Sequence, residues 1–427
     1  MINSGISVNA ASTSVKSPHP IFDNLDSQDN VFNRKHFDVT PFFNRQEPIA
    51  NAETDYEFGL KFLHSYTGST ATFNSYRREI ERLLQWSWFV RKLSITGLRR
   101  EDIEAFISFA RKPPDSWIGI KNVARFKDRG GERVPNPDWR PYVVSLSKEL
   151  VRAGIAPSIE QYELSQSALK ATFSVLSSFF GFLIQENVVD SNPVSLIRQK
   201  SKFIQKEQTR KPIRRITNLQ WEFLQELAVE LADREPEKYE RSLFVLNCLL
   251  GMYLRISEVV ADERATPSMG DFKRDMDGNW WFHVTGKGNK NRIVTVSDEM
   301  LTSLKRYRQF LSLPPLPVSG ERTPLVAKNL GRGPVTSTRQ IRTILQELFD
   351  LAYEKMAREG LADDAQDLRA ATAHWLRHTG ISEDVKIRPR EHVRDDAGHA
   401  SMATTDKYID SDLRERHASG RRKPLHK

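Results

Sequence analysis

The chain has 427 residues, of which 39% are hydrophobic, with eight tryptophans, 23 phenylalanines and a formal charge of +9. That length exceeds what one core usually serves, and the apolar content excludes a disordered polar chain, so two domains with appendages are expected. A single cysteine excludes an intrachain disulfide or a Cys-rich zinc site, no run approaches 18 uninterrupted apolar residues, and no signal peptide is visible; the expectation is a reducing cytoplasm, no membrane, and a polyanionic partner such as nucleic acid.

Residues 1–53 are rich in Ser, Asn, Asp and Pro and read as an irregular N-terminal arm. From 54 onward a helical period appears. Ser69 or Thr70 is positioned to cap a helix whose apolar positions are Phe73, Tyr76, Ile80, Leu83, Leu84 and Trp88. Arg77, Arg78 and Arg82 fall on its other sides and are candidate contacts for a polyanionic partner. A second helix carries Ile103, Phe106, Ile107 and Ala110, and Pro113-Pro114 stops it. The Gly/Pro/Arg-rich stretch 113–157 is long enough to be an insertion with some structure of its own. A further helix runs from Ser165 to about Glu186, with Leu169, Phe173, Leu176, Phe180 and Leu183 on one face. The segment 54–200 is therefore expected to be a small all-helical domain with a basic side.

Between Arg198 and Arg215 lie eight Lys/Arg residues and one acid, Glu207. This run marks a basic linker over 201–215, with Lys206, Arg210, Lys211, Arg214 and Arg215 as a strap for phosphates. Thr217 with Gln220 forms a capping box that opens the next domain, 216–412. Its helices lead to Arg255. Two strands follow, 279–285 and 292–296, joined by Gly286-Lys287-Gly288-Asn289-Lys290-Asn291, with Asp277-Gly278 as the turn into the first. Cys248, in an apolar run, reads as a small core residue. Helices resume at about Ser297, and residues 413–427 form a basic tail.

Five positions in a fixed order carry the chemistry. Arg255 and Arg377 supply guanidinium forks suited to the non-bridging oxygens of a phosphodiester, and both stay charged at any relevant pH. Glu258, three residues after Arg255, is placed to orient it. Lys287, on a glycine-flanked hairpin tip, is a candidate proton donor to a leaving oxygen, while Lys290 and Arg292 beside it are candidate phosphate contacts. His374 lies one helical turn from Arg377, as an acid, base or hydrogen-bond donor. His374 and His378 also raise a zinc alternative, but Trp375 stands where a metalloprotease helix needs Glu and no cysteine supplies a third ligand. No metal is expected, and His378 reads as a satisfied structural histidine. Tyr408 follows His399 by nine residues and is the candidate nucleophile.

This ordered set resembles the tyrosine site-specific recombinases of the phage-integrase type. Their signature is Arg-x-x-Glu, a Gly-Lys-Gly hairpin, His-x-x-Arg, Gly-His and a tyrosine nine residues on. Arg255 with Glu258, Gly286-Lys287-Gly288, His374 with Arg377, Gly398-His399 and Tyr408 match it one by one. The likeness covers roughly 215–412, and 54–200 more loosely. Three features depart from the pattern. Tyr253 stands where the family commonly has glycine, a charged stretch from Ser382 to Glu391 replaces an apolar helix, and Asp396-Ala397 replaces two leucines before Gly398.

The resemblance implies a mainly α fold with a small antiparallel β-sheet: a helical core-binding domain and a mixed α/β catalytic domain that close as a C-shaped clamp. It implies cutting and rejoining of DNA through a 3′-phosphotyrosine on Tyr408. Arg255, Arg377 and His399 would stabilise the transition state, Lys287 would protonate the leaving oxygen and His374 would assist. No metal or nucleotide cofactor is called for. The implied partners are double-stranded DNA with specific sites, a tetramer of this chain on two sites, and accessory DNA-bending proteins. A type IB-like topoisomerase or an inactive architectural DNA-binding protein are the alternatives.

Overall fold

The computed structural model describes residues 17–24, 49, 51–66, 70–195, 197, 214–263, 265–286, 291–328, 333–409 and 420–421. The chain divides into two compact units, Met1–Gln208 and Thr209–Lys427. The mainly α architecture with a small antiparallel sheet is the one expected.

The first unit is built on helices α1 (Ala52–His64), α2 (Thr70–Trp86), α3 (Arg100–Arg111) and α5 (Gln166–Gln185), with the short α4 (Lys148–Arg152) between the last two. Helix α2 places Phe73, Ile80, Leu83 and Leu84 in the core and runs into a π-helical turn, Ser87–Arg91, that buries Trp88. The Trp88 indole N–H donates to Asp55 on α1 at 2.9 Å. Helix α5 is long and apolar enough by composition to cross a membrane. Its Leu169, Phe173, Leu176, Phe179, Phe180 and Leu183 lie inside the unit's core. The insertion expected at 113–157 contains two small pairings, parallel β1 (Ile118–Gly119) with β4 (Tyr142–Val143) and antiparallel β2 (Phe126–Arg129) with β3 (Glu132–Pro135).

Two findings change the reading of this unit. Within the N-terminal arm, residues 17–24 have no regular secondary structure, yet Ile21 and Phe22 are fully buried. Glu81 accepts from the Ile21 amide at 2.6 Å, Phe22 stacks on Tyr56, and Arg133 pairs with Asp23. This stretch is part of the core.

The second concerns the basic side of α2. Arg77 is buried, donating to the Asp23 carbonyl at 2.6 Å and to Asn24 Oδ1 at 2.9 Å. Arg82 is nearly enclosed, donating to the Pro141 carbonyl at 2.6 and 2.9 Å and to the buried Glu79 carboxylate at 3.1 Å, beneath the Tyr142 ring. Arg77 and Arg82 are therefore structural, because both are enclosed and bonded to acceptors inside the fold. Arg78 is half exposed and pairs with Glu79.

In the second unit the Thr217–Gln220 capping box is present and opens α6 (Asn218–Arg234). Helix α7 (Pro236–Gly251) buries Leu243, Phe244, Val245, Leu246, Cys248 and Leu249. The sheet has three strands in the order β5 (Phe272–Arg274), β6 (Trp280–Thr285) and β7 (Asn291–Thr295), all antiparallel. The first of these was not expected. The hairpin register pairs Thr285 with Asn291, and its connection, 287–290, lies outside the described residues. Helices α8 (Asp298–Phe310), α9 (Thr338–Arg358), α10 (Ala373–Ile387) and α11 (Arg390–Ala397) follow. Helix α10 crosses the end of α7 so closely that a Cβ on Gly380 would lie 2.3 Å from the Leu250 carbonyl oxygen. That contact fixes the helix carrying His374 and Arg377 against the chain that leads to Arg255.

Arg82→Ala leaves Glu79 buried with only the half-exposed Arg78 as a charged partner, beside the Thr172 hydroxyl. It is expected to lower stability by about 3 kcal/mol, the low end for breaking a buried pair. Thermal melts of Arg82→Ala and Arg78→Ala check this, since the exposed Arg78 change should cost under about 1 kcal/mol.

Candidate active site

Helix α7 ends at Gly251, and the chain turns sharply through Tyr253, whose φ of +49° is rare for a bulky side chain. Arg255 then caps a single 3₁₀ turn, Ile256–Glu258. Glu258 folds back on it, accepting from the Arg255 amide at 2.7 Å and from its guanidinium at 2.9 Å. The same carboxylate takes a two-pronged contact from Arg292 on β7, both bonds 2.8 Å. Burial alone would raise the Glu258 carboxyl, but the Arg292 and Arg255 donors outweigh it and hold the group at about 2. Arg255 keeps 40% of its side chain exposed, with Nη2 3.5 Å from the Gly398 carbonyl. It is the guanidinium left facing outward.

Arg377 is 2% exposed, and its two terminal nitrogens donate to the Tyr253 and Ala397 carbonyls. Burial, with Arg255 nearby, lowers it to about 10, so it remains charged at neutral pH. His374 is lowered by burial and by Arg377 and Arg255. His378 departs from its expected role. Its Nδ1 is buried without a hydrogen-bond partner among the described residues, and burial followed by the His374, Arg377 and His399 charges lowers it to about 4. Its ring lies 4.1 Å from His374 and 5.2 Å from Tyr408, centroid to centroid.

Helix α11 ends on Gly398 in the left-handed region (φ +64°), which turns the chain into His399. A Cβ there would meet Arg292 Cδ at 2.7 Å. His399 Nδ1 is 2.9 Å from Thr405 Oγ1, and its ring stacks on Tyr408 at 5.5 Å with 18° between planes. Tyr408 sits in the 3₁₀ turn Asp406–Ile409, 9% exposed, packed with Tyr253, Ile381, Val393 and Ala397. Burial raises its phenol, and the Arg377 and Arg255 charges draw it back down.

Arg255, Glu258, His374, Arg377, His399 and Tyr408 are thus gathered in one place, as the signature requires. Lys287 and Lys290 lie outside the described residues, as do Lys206, Arg210 and Lys211 of the basic run. Arg214 is exposed and Arg215 reaches within 3.8 Å of Glu383. Arg292 is not a free phosphate contact: it is consumed by Glu258 and by the Asp396 carbonyl at 3.0 Å. Its alternation in β7 was the available signal, because it falls on the face opposite the exposed Asn291 and Ile293. The contribution of His378 to the Tyr408 pocket was missed. Its spacing of four from His374 put both on one helix face.

No family model matches the chain. It is 26% identical over 250 residues to the tyrosine recombinase XerC of Chlorobaculum parvum, covering 55% of this chain and 66% of that protein. With XerC of Thermodesulfovibrio yellowstonii it shares 27% over 264 residues, 58% of this chain and 73% of the relative. Among solved structures, XerH site-specific recombinase on palindromic difH substrate superposes with a TM-score of 0.53 at 15% identity, over 92% of each chain. The Tn1549 transposon integrase with transposon right end DNA gives 0.50 at 15%, over 86% of this chain and 98% of that one. The structural likenesses show a shared fold. The curated relatives that the chain resembles are tyrosine recombinases.

Because Glu258 is held below the ordinary carboxyl value of 4.5, its contribution to stability is complete above that pH and is lost as pH falls toward about 2. Glu258→Gln should be less stable than wild type at neutral pH, with the gap closing in that acid window. Unfolding measured from pH 7 down to 2 checks the difference.

Proposed function

We propose that the protein is a site-specific DNA recombinase that cuts and rejoins strands through a 3′-phosphotyrosine. The observation that carries this reading is Tyr408 stacked on His399 within the field of Arg255 and Arg377. The phenolic oxygen of Tyr408 gives up its proton to His374, the proposed base, and attacks the phosphorus of a DNA phosphodiester; the P–O5′ bond breaks, and a proton reaches the departing 5′-oxygen. Lys287 is the proposed donor of that proton. Arg255 and Arg377 meet the charge on the non-bridging oxygens as the pentacoordinate state forms. Rejoining reverses the step: a 5′-hydroxyl of the partner strand attacks, and the phenol leaves with the proton returned to it. Each bond broken is replaced by one of the same kind, so the sequence consumes no nucleotide and calls for no metal.

The two units are proposed to grip one duplex as a clamp, with Arg78, Arg214, Arg215, Lys206, Arg210, Lys211 and Lys290 among the phosphate contacts. Strand exchange then takes four copies on two sites, with DNA-bending proteins as accessories, and the work is done on cytoplasmic DNA. Integration, excision or resolution of a mobile element is the role this chemistry suits. The XerH and Tn1549 proteins were both captured with DNA, which supports the assignment of partner.

A nicked suicide duplex tests the reading. Wild type is expected to form a denaturant-resistant adduct, unaffected by EDTA, and Tyr408→Phe to form none. A duplex bearing two sites separates exchange from mere relaxation. Binding should weaken steeply with salt, its log–log slope reporting roughly 0.9 per phosphate neutralised.

A further inference from the structure

We propose that Tyr253, Asp384, Arg388 and Asp396 act as one positioning network that sets Arg377 and the Gly398–His399 turn for attack by Tyr408. The proposal rests on the strand-transfer reading above and adds to it residues outside the matched signature. Each is one of the places where this chain departs from the family pattern, and the fold joins them.

The connections are direct. The Tyr253 hydroxyl donates to the Asp384 carboxylate. Arg388 donates to Tyr253 Oη at 3.0 Å, to Asp384 at 3.2 Å and, through its other nitrogen, to Asp396 Oδ2 at 2.6 Å. The second Asp396 oxygen accepts from the Thr295 amide at 3.1 Å and hydroxyl at 3.3 Å. One network therefore ties the loop before Arg255, the C-terminal half of α10, the end of α11 and strand β7. Burial and the Asp384 charge push the Tyr253 phenol up, so it stays a donor throughout the working pH range.

What the network holds is the cradle of Arg377. That guanidinium donates to two carbonyls, those of Tyr253 and Ala397. The first belongs to a network member and the second to the residue after Asp396. Tyr253 is held at its positive φ from both ends, by its carbonyl on Arg377 and its hydroxyl on Asp384. Its ring packs in the same small cluster as Tyr408. Ala397 is followed directly by Gly398 and His399, the stacking partner of Tyr408. Loosening the network shifts Arg377 and His399 together, while the duplex-gripping surfaces are untouched. A small misplacement of such groups slows the chemical step without weakening binding.

The test uses the full chain with Tyr253→Phe, which removes one hydroxyl and keeps the ring, and Arg388→Gln, whose side chain is partly exposed. Single-turnover adduct formation on the suicide duplex at saturating DNA should fall about tenfold in each. DNA affinity should stay within about twofold and the melting temperature within about 4 °C. The double variant should be no slower than the slower single one, because both act through one network. Wild-type rates in both single variants, or losses that multiply in the double, overturn the proposal. So does a loss that tracks affinity or melting temperature instead of cleavage. A wild type that forms no adduct overturns the strand-transfer reading itself, and the two failures are told apart by that control.

Discussion

The site depends on one buried carboxylate. Glu258 is buried, where an unpaired charge would be costly, and two guanidinium groups keep it ionised there. One of them, Arg255, follows α7; the other, Arg292, comes from β7, 34 residues beyond Glu258. The carboxylate therefore welds the sheet to the loop that presents Arg255. Arg292 extends the weld to the end of α11 through the Asp396 carbonyl, and the glycine turn at 398 closes over its stem. One negative charge shared by two cations still leaves the cluster positive once Arg377 is counted. A phosphate arriving at Arg255 meets a site with its geometry set and its charge not yet neutralised.

Protonation divides the labour among the other groups. His374 and His378 are both pushed toward neutrality by burial and by the arginines beside them. The fixed positive charge is therefore carried by guanidinium groups, which cannot lose it, while imidazoles supply ring surfaces and hydrogen bonds. Tyr408 is subject to opposite pulls: burial disfavours its phenolate, and Arg377 and Arg255 favour it. The same two cations that would meet charge on a phosphate also ease deprotonation of the Tyr408 phenol.

Much of this was readable in the sequence because it is local. Helical periodicity located α2 and α5, a Thr-x-x-Gln box located the start of α6, and alternation around a glycine-rich turn located β6 and β7. The signature spacing named the six groups that the fold gathers. The failures share one cause. A cation in a basic chain looks the same whether it faces solvent or a carboxylate far away in sequence. Arg77 finds its acceptors 54 and 53 residues back, Arg82 a carbonyl 59 residues on, and Arg292 a carboxylate 34 residues back. Residues 17–24 read as irregular and are, but their burial depends on Glu81, some 60 residues away. The pairing of β1 with β4, across an insertion that itself contains a hairpin, left no periodic trace either.

The departures from the family pattern are instructive for the opposite reason. Taken singly, a tyrosine in place of glycine, an aspartate in place of leucine and a charged helix in place of an apolar one each look like damage to packing. Any one of them alone would be: a buried Asp396 without Arg388 and Thr295 would be an unpaired charge, and Tyr253 without Asp384 an unmatched hydroxyl at a strained backbone position. Present together, each supplies the partner another lacks. Apolar residues could fill the same space, yet they would leave α10, α11 and β7 free to slide by fractions of an ångström, because dispersion contacts have no fixed direction. Hydrogen bonds between charged groups do have direction. Bonds with direction fix where the Tyr253 and Ala397 carbonyls meet the buried Arg377 guanidinium, which apolar packing in the same space would not.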